Sequence, residues 1–345
     1  MNKSLLILVV LFYFLNANVK SPKTAIGSLP TPTLGNIFSG PDDIGNHNYF
    51  GSQGEGNGIV FTCLGGHIDL AHVRSTADWT RFAYKIINNE LKKSSSHISF
   101  KTSVDPSIFH ISVNYSKTWN NLSKESQKNK IHLASKELAK YVIFHAANWH
   151  EILTWFGYSK IRFFSEYPSS FSWEDSFSNM MGIHLVDNLL SLEDEDYNNG
   201  MTQSIQHEME NLIILGKVES ISITNKVKNL WFEGWVPGLL KMKYRNFDIG
   251  SNDGHINPAI IPNNELCSER AHPGYKAPTL KSANGYEILF ELNIEPKEHT
   301  SKKILGIVYG KYFKNYISID PEKHLSLILQ HIKKEAISNG YRYVD

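Results

Sequence analysis

Apolar residues recur at helical spacing over several long stretches of the chain and alternate over a few short ones. After the strand-like "IVFTC", the stretch "GGHIDLAHVRSTADWTRFAYKIINNEL" sets Asp69, His72, Thr76, Trp79, Ala83 and Ile86 three or four residues apart. They share one helical stripe, and the helix is predicted to start near His67 or Asp69. Unusually, this stripe is apolar along most of its length but begins in Asp and His. "HISFKTSV" and "SIFHISVNY" partly alternate around "DP" and predict a hairpin. A polar linker, "SKTWNNLSKESQKNK", leads to a long helix from about Ile131 to Phe156, ended by Gly157. Its second half is apolar almost all round, which predicts a central helix covered on every side.

"FSWEDSFSNMMGIHLVDNLLS" predicts a third helix, with Ser172 as N-cap and Asp175 at the capping-box position. Gly182 in its middle costs about 1 kcal/mol relative to Ala and suits the close approach of another helix. "LEDEDYNNG" reads as a solvated turn, and "MTQSIQHEMENLIILG" and "ITNKVKNLWFEGW" as two more helices. "GYEILFELNIEP" and "KKILGIVYG" read as strands. "DPEKHLSLILQHIKKEAISNG" reads as a final amphipathic helix, with Pro321 near its start and Gly340 after its end. The fold class is therefore α+β: a mainly helical core with a short hairpin and a smaller strand-containing C-terminal part. The expected divisions are a signal peptide over residues 1–17, an irregular lead-in over 18–58, a helical core over 59–240 and a C-terminal part over 241–345 packed on the core. The lead-in, rich in Gly, Pro and Asn, is expected to wrap over the surface, and its "GSQGEGNG" to be a flexible loop.

Composition narrows the function classes. An apolar fraction of 41% and a charged fraction of 20% are those of a globular protein. A formal net charge of +1 gives no general pull toward nucleic acid or anionic membrane. A basic start at Lys3 followed by an apolar run from Leu5 to Leu15 matches a secretory signal and is too short for a spanning helix. Cleavage is expected after Ala17, the alternative being an uncleaved anchor. The protein is thus expected to be exported, periplasmic or envelope-associated, with no transmembrane segment in the mature chain and a cell-envelope substrate. The two cysteines, Cys63 and Cys267, suggest one disulfide in that setting, the alternative being two separate thiols.

Three predicted helices each bring polar residues to an apolar place. The first brings Asp69 and His72, with Arg74 nearby. The second brings His150 and Glu151, with Asn148 and Thr154 within a turn. The third brings Glu174, Asp175 and Asn179. Aspartate and histidine three apart on one helix face can bind the same cation. A catalytic metal wants about three protein ligands and a water. Asp69, His72, His150 and Asp175 are the candidate ligands, zinc the candidate metal, and Glu151 the base acting on a metal-bound water. Without a metal, Glu151 in apolar surroundings would serve as a general acid on a glycan. "HEILT" matches only half of the zinc-protease H-E-x-x-H helix, since Thr154 stands where the second histidine belongs. The expected function is a hydrolase. The rival is a non-catalytic envelope binding or scaffold protein in which the same residues form a structural polar network.

"GIVFTCLGGHIDLAHVRSTADWT", "NWHEILTWFGY", "SFSWEDSFSNMMGIHL" and the tail "PEKHLSLILQHIKKEAISNGYRYVD" together resemble a bacterial family known only as a domain of unknown function, DUF4056. The likeness runs from about Asn48 to the C-terminus. It implies exported envelope proteins, some of them lipid-anchored, although no cysteine follows the apolar run here. It implies no activity and transfers no site residues. It does imply that the three polar segments belong to one domain.

Overall fold

The computed structural model describes residues 19–344, apart from Ile26, Ser52 and residues 160–165, 237–239 and 268–269. The predicted signal segment lies outside the described residues. The chain is α+β and mainly helical. Strands β1 (Ile59–Thr62) and β2 (Gly66–Asp69) form a hairpin that leads directly into α1 (Leu70–Lys92). "GHID" is therefore strand, and α1 starts only at Leu70. Asp69 is its N-cap, its carboxylate accepting from the backbone N–H groups of Ala71 and His72.

Strands β3 (His97–Phe100) and β4 (Ile108–Tyr115) are the expected hairpin. Helix α2 (Lys124–Trp155) begins seven residues earlier than its apolar pattern, because Ser123 caps it and its first turns face solvent, where polar residues suffice. It ends in a Schellman pair: the N–H of Gly157 reaches Thr154 O, and that of Tyr158 reaches Leu153 O. Helix α3 (Asp175–Leu185) follows. Helix α4 (Asp194–Asn211) starts inside the acidic run read as a turn, whose Asp194, Glu195 and Asp196 occupy its first turn, where the helix dipole favours them. Helix α5 (Lys217–Lys226) sits upstream of its prediction, and "FE" beyond it is strand β5 (Phe232–Glu233), paired with β6 (Lys241–Met242).

Short strands β7 (Tyr244–Asn246), β8 (His255–Ile256) and β9 (Tyr275–Lys276) precede the small helix α6 (Leu280–Ala283). Strand β10 (Ile288–Glu295) alternates buried and less buried positions and pairs with β4 along its whole length, completing a three-stranded sheet in the order β10-β4-β3. "KKILGIVYG" is not a strand but helix α7 (Ser301–Tyr309). Ile304, Leu305 and Val308 face the core at helical spacing, a short apolar run whose period is ambiguous by eye. Helix α8 (Pro321–Ser338) is as expected, and β11 (Arg342–Val344) lies parallel to β7.

Helix α1 packs on both α2 and α3. The α1–α3 contact is close because of Gly182: a Cβ there would stand 2.1 Å from Val73 O and 2.3 Å from the Thr76 hydroxyl. The disulfide forms between Cys63 and Cys267. The lead-in departs most from expectation. Phe38, Ile44 and Tyr49 are buried, and the lead-in is pinned to α1 by a buried charged cluster rather than draped over the surface. Lys23 meets Glu55 at 2.7 Å, and His47 meets Asp78 at 2.9 Å. Arg74 donates to Gly56 O and Ile44 O. Glu55, expected in a flexible loop, has a fully buried side chain.

Candidate functional site

The polar ends of α1, α2 and α3 do meet. Asp69 is completely buried, and its Oδ2 accepts from the Ser28 N–H at 2.9 Å, while its own N–H donates to Ser178 Oγ of α3 at 3.0 Å. His72, one turn into α1, places Nδ1 3.0 Å from Asp69 Oδ2 and 3.6 Å from Asp175 Oδ1. Burial opposes a charge on this ring, but Asp69 and Asp175, with Glu151 beyond them, outweigh it and raise the histidine to about 10. At neutral pH His72 is therefore an imidazolium, with about a third of its side chain (32%) still exposed.

Asp175 binds the Ser172 N–H through Oδ2 at 2.9 Å, the return half of a capping box. The other half is absent: Ser172 Oγ donates instead to Glu174 Oε2 at 2.5 Å, and α3 starts at Asp175. Burial, reinforced by Glu151 and Glu174, pushes the Asp175 carboxyl well above the usual range. Burial does the same to Glu174, with the Ser172 hydroxyl opposing. Asp69 differs in its surroundings: His72 and the backbone N–H groups of Ser28, Ala71 and His72 all face it.

Glu151 accepts the Phe171 N–H at 2.6 Å. Phe171 sits at φ +53°, a left-handed conformation costly for a bulky residue and found where the surroundings impose it. The chain is held on both sides of this residue: Asn246 N–H reaches Phe171 O, and the buried Arg245 guanidinium donates to Pro168 O at 2.9 Å and to Ser170 O at 2.5 Å, with the Trp155, Tyr167 and Tyr341 rings around it.

Of these groups, His72 and Glu151 border a cavity of about 400 Å³. His72 and Thr76 come from α1, His150 and Glu151 from α2, and Asn179 from α3. Trp79, Val104, Ile143, Ala146 and Ala147 supply apolar wall, Glu166 another carboxylate, and Thr24, Ala25 and Gly27 of the lead-in close one side. Gly27 lies against the site itself, since a Cβ there would come within 2.5 Å of Asp69 Oδ2.

Several expected roles change. Among the described residues, no three His, Cys, Asp or Glu side chains are arranged to hold a metal ion. The set Asp69, His72, His150 and Asp175 does not come together as donors around one point. His72 turns Nδ1 to the carboxylates and keeps its second proton, and His150 points Nε2 toward Glu166 at 3.9 Å with its ring against Tyr158. The supporting residues divide likewise. Asn179 lines the cavity and Glu174 flanks Asp175. Asn148 donates to Phe144 O and Thr154 to Glu151 O, both within α2, and Arg74 serves the lead-in. Sequence reasoning missed Gly27, Trp79, Glu166, Phe171 and Arg245. Only Trp79 carried a signal, its place on the His72 stripe.

Residues 19–258 match the family described as "Protein of unknown function (DUF4056)". The chain belongs to this family. The DUF4056 match takes in the lead-in and all three polar segments, including every residue of the cavity named above, and ends before the C-terminal tail that also suggested the likeness. No curated protein and no solved structure matches the chain.

Proposed function

We propose that this cavity is the active site of a hydrolase acting on an acyl substrate, an ester or amide with a compact apolar body. One observation carries the reading: a carboxylate fixed by a backbone N–H, Glu151, and an imidazolium fixed by two carboxyls, His72, border the same apolar-walled cavity. Glu151 takes a proton from a water whose oxygen attacks the acyl carbon. The His72 imidazolium stabilises the oxyanion that develops, and Glu151 returns the proton to the leaving group as its bond to carbon breaks. Asp69 and Asp175 hold the imidazolium in place. An oxidising compartment, the setting expected for an exported chain, suits the Cys63–Cys267 disulfide.

The scaffold reading draws on a different observation. Asp69, Glu151 and Asp175 each accept a backbone N–H, as purely structural carboxylates do. The test separates the two. Wild type and the Glu151→Gln and His72→Gln variants are assayed on nitrophenyl esters and anilides of short to medium acids, alongside thermal melts. Glu151→Gln, which keeps an acceptor for Phe171, should lose about 10²–10⁴-fold in turnover with little change in melting. Wild-type turnover should fall as pH rises through about 10, where His72 gives up its proton. An unchanged rate in Glu151→Gln, or no turnover of any of these substrates by wild type, would sink the hydrolase.

A further inference from the structure

We propose that residues 300–319 form a docking surface for a bilayer containing anionic phospholipid, independent of the cavity and of its chemistry. In a chain whose net charge is only +1, this stretch carries Lys302, Lys303, Lys311 and Lys314 and no Asp or Glu. Lys303 is 3.4 Å from Glu335, whereas Lys302, Lys311 and Lys314 are exposed and make no ion pair with any described residue. Just beyond the stretch, Asp320 is taken up by Lys323 at 2.7 Å.

The same stretch exposes apolar and aromatic surface. Tyr312 is 59%, Tyr316 46% and Ile317 70% accessible. They lie on an excursion that begins where α7 ends, runs through a 3₁₀ segment (Gly310–Asn315) and returns to the sheet where Ile319 bridges Ile294. The excursion is closed at its base. The Tyr309 and Tyr316 rings stack at 3.8 Å, nearly parallel, and the Tyr309 hydroxyl donates to Ser318 O at 2.9 Å. Ile304 and Leu305 anchor α7 in the core. Exposed tyrosine and isoleucine on a fixed support, in a stretch whose Lys302, Lys311 and Lys314 make no ion pair with a described residue and whose Lys311 lies over the Tyr312 ring at 5.0 Å, suit an interfacial contact. The lysines meet phosphate headgroups, and Tyr312 and Ile317 enter the boundary with the acyl region. Charge complementarity favours this occupant over a protein partner, because lysine is depleted from protein–protein interfaces. The contact is superficial, since no helix among the described residues is long and apolar enough to cross a membrane.

The test is co-sedimentation of the full chain with vesicles of phosphatidylcholine alone, or with roughly a quarter phosphatidylglycerol. Wild type should pellet with the anionic vesicles and be released in about 1 M salt, where screening shrinks to about 3 Å. Lys311→Glu/Lys314→Glu and Tyr312→Ser/Ile317→Ser should each lower the partition coefficient at least about tenfold. Because both variants alter exposed side chains and keep the N-terminal apolar run, any difference from wild type reports the excursion. Equal binding to both vesicles, binding to neither, or double variants that bind like wild type would overturn the proposal, and a protein partner would then be the better reading of the surface.

Discussion

Gly182 sets how closely α3 approaches α1, and Gly182→Ala tests whether that approach matters. The added methyl would lie 2.1 Å from Val73 O and 2.3 Å from Thr76 Oγ1. A carbon–oxygen contact relaxes only near about 3.3 Å, so α3 must withdraw by about 1 Å. Val73 O is backbone within α1 and cannot rotate away. Overpacking of this kind costs about 1–3 kcal/mol. Withdrawal also stretches the 2.9 Å hydrogen bond from Thr76 to Asn179 O, worth about 1 kcal/mol. Against this, Ala is the better helix former by about 1 kcal/mol. The net loss is about 2 kcal/mol. With an unfolding entropy of about 2.1 cal/mol/K per residue, or about 0.7 kcal/mol/K for a chain of this length, Tm falls by about 3 °C. Gly306→Ala is the control: it too is a helical glycine, but nothing lies within 4 Å of its added carbon. It should raise Tm by about 1 °C. Calorimetry on both variants decides. A Gly182→Ala protein melting at or above wild type would refute the close-contact argument. Because Asp175 and Asn179 ride on α3, any hydrolase activity should fall with Gly182→Ala and not with Gly306→Ala.

Two further predictions concern protons. Burial opposes a charge on His47, but Asp78 and Glu55 overcome it and raise the ring above 6.5. Its contribution is therefore full below that value and lost as pH rises through the folded one. Burial would raise Glu55, but His47, Lys23 and the Asn48 N–H hold it down at about 2, so its contribution is present above 4.5 and lost as pH falls through about 2. Proteolysis of the lead-in should accordingly speed up toward about pH 9 relative to about pH 6, and an unchanged cleavage rate would refute the role of the cluster. Asp175 has the opposite sense for a carboxylate: its folded value is raised, so its ionisation weighs against the fold as pH climbs above 3.8. Asp175→Asn should gain on wild type in Tm at neutral pH more than near pH 4, and a gain independent of pH would contradict it.

What was legible in the sequence was whatever one element decides alone. Gly182, the amphipathic period of α8 and the polar start of the α1 stripe all announce themselves locally, whereas the meeting of His72, Glu151 and Asn179 at one cavity is set by helix packing. "KKILGIVYG" reads as a strand because its seven-residue apolar run, Ile304–Gly310, satisfies both periods. The capping-box pattern points to Ser172 as the helix start, but its hydroxyl donates to Glu174 and α3 starts at Asp175, because a buried carboxyl two residues on competes for the same donor. The lead-in misled for a related reason. Gly, Pro and Asn mark irregular backbone, not exposure, and Glu55 is buried only because Lys23, His47 and Arg74 arrive from elsewhere in the chain. Arg245 and Phe171 left no trace, since their partners lie far away in sequence: Pro168 O, Ser170 O and three aromatic rings for Arg245, the Glu151 carboxylate for Phe171.

The Cys63–Cys267 bond joins residues 204 positions apart and encloses α1 to α5 in one covalent ring. A pull on the two chain ends would be carried across this bond and would bypass everything between. The lead-in would peel from α1, β10 from β4 and α8 from α2, while the three site helices would not lie in the line of tension. Reduction would put those helices in the line of force, so the bond acts as a mechanical bypass around the cavity as well as a brace for the fold.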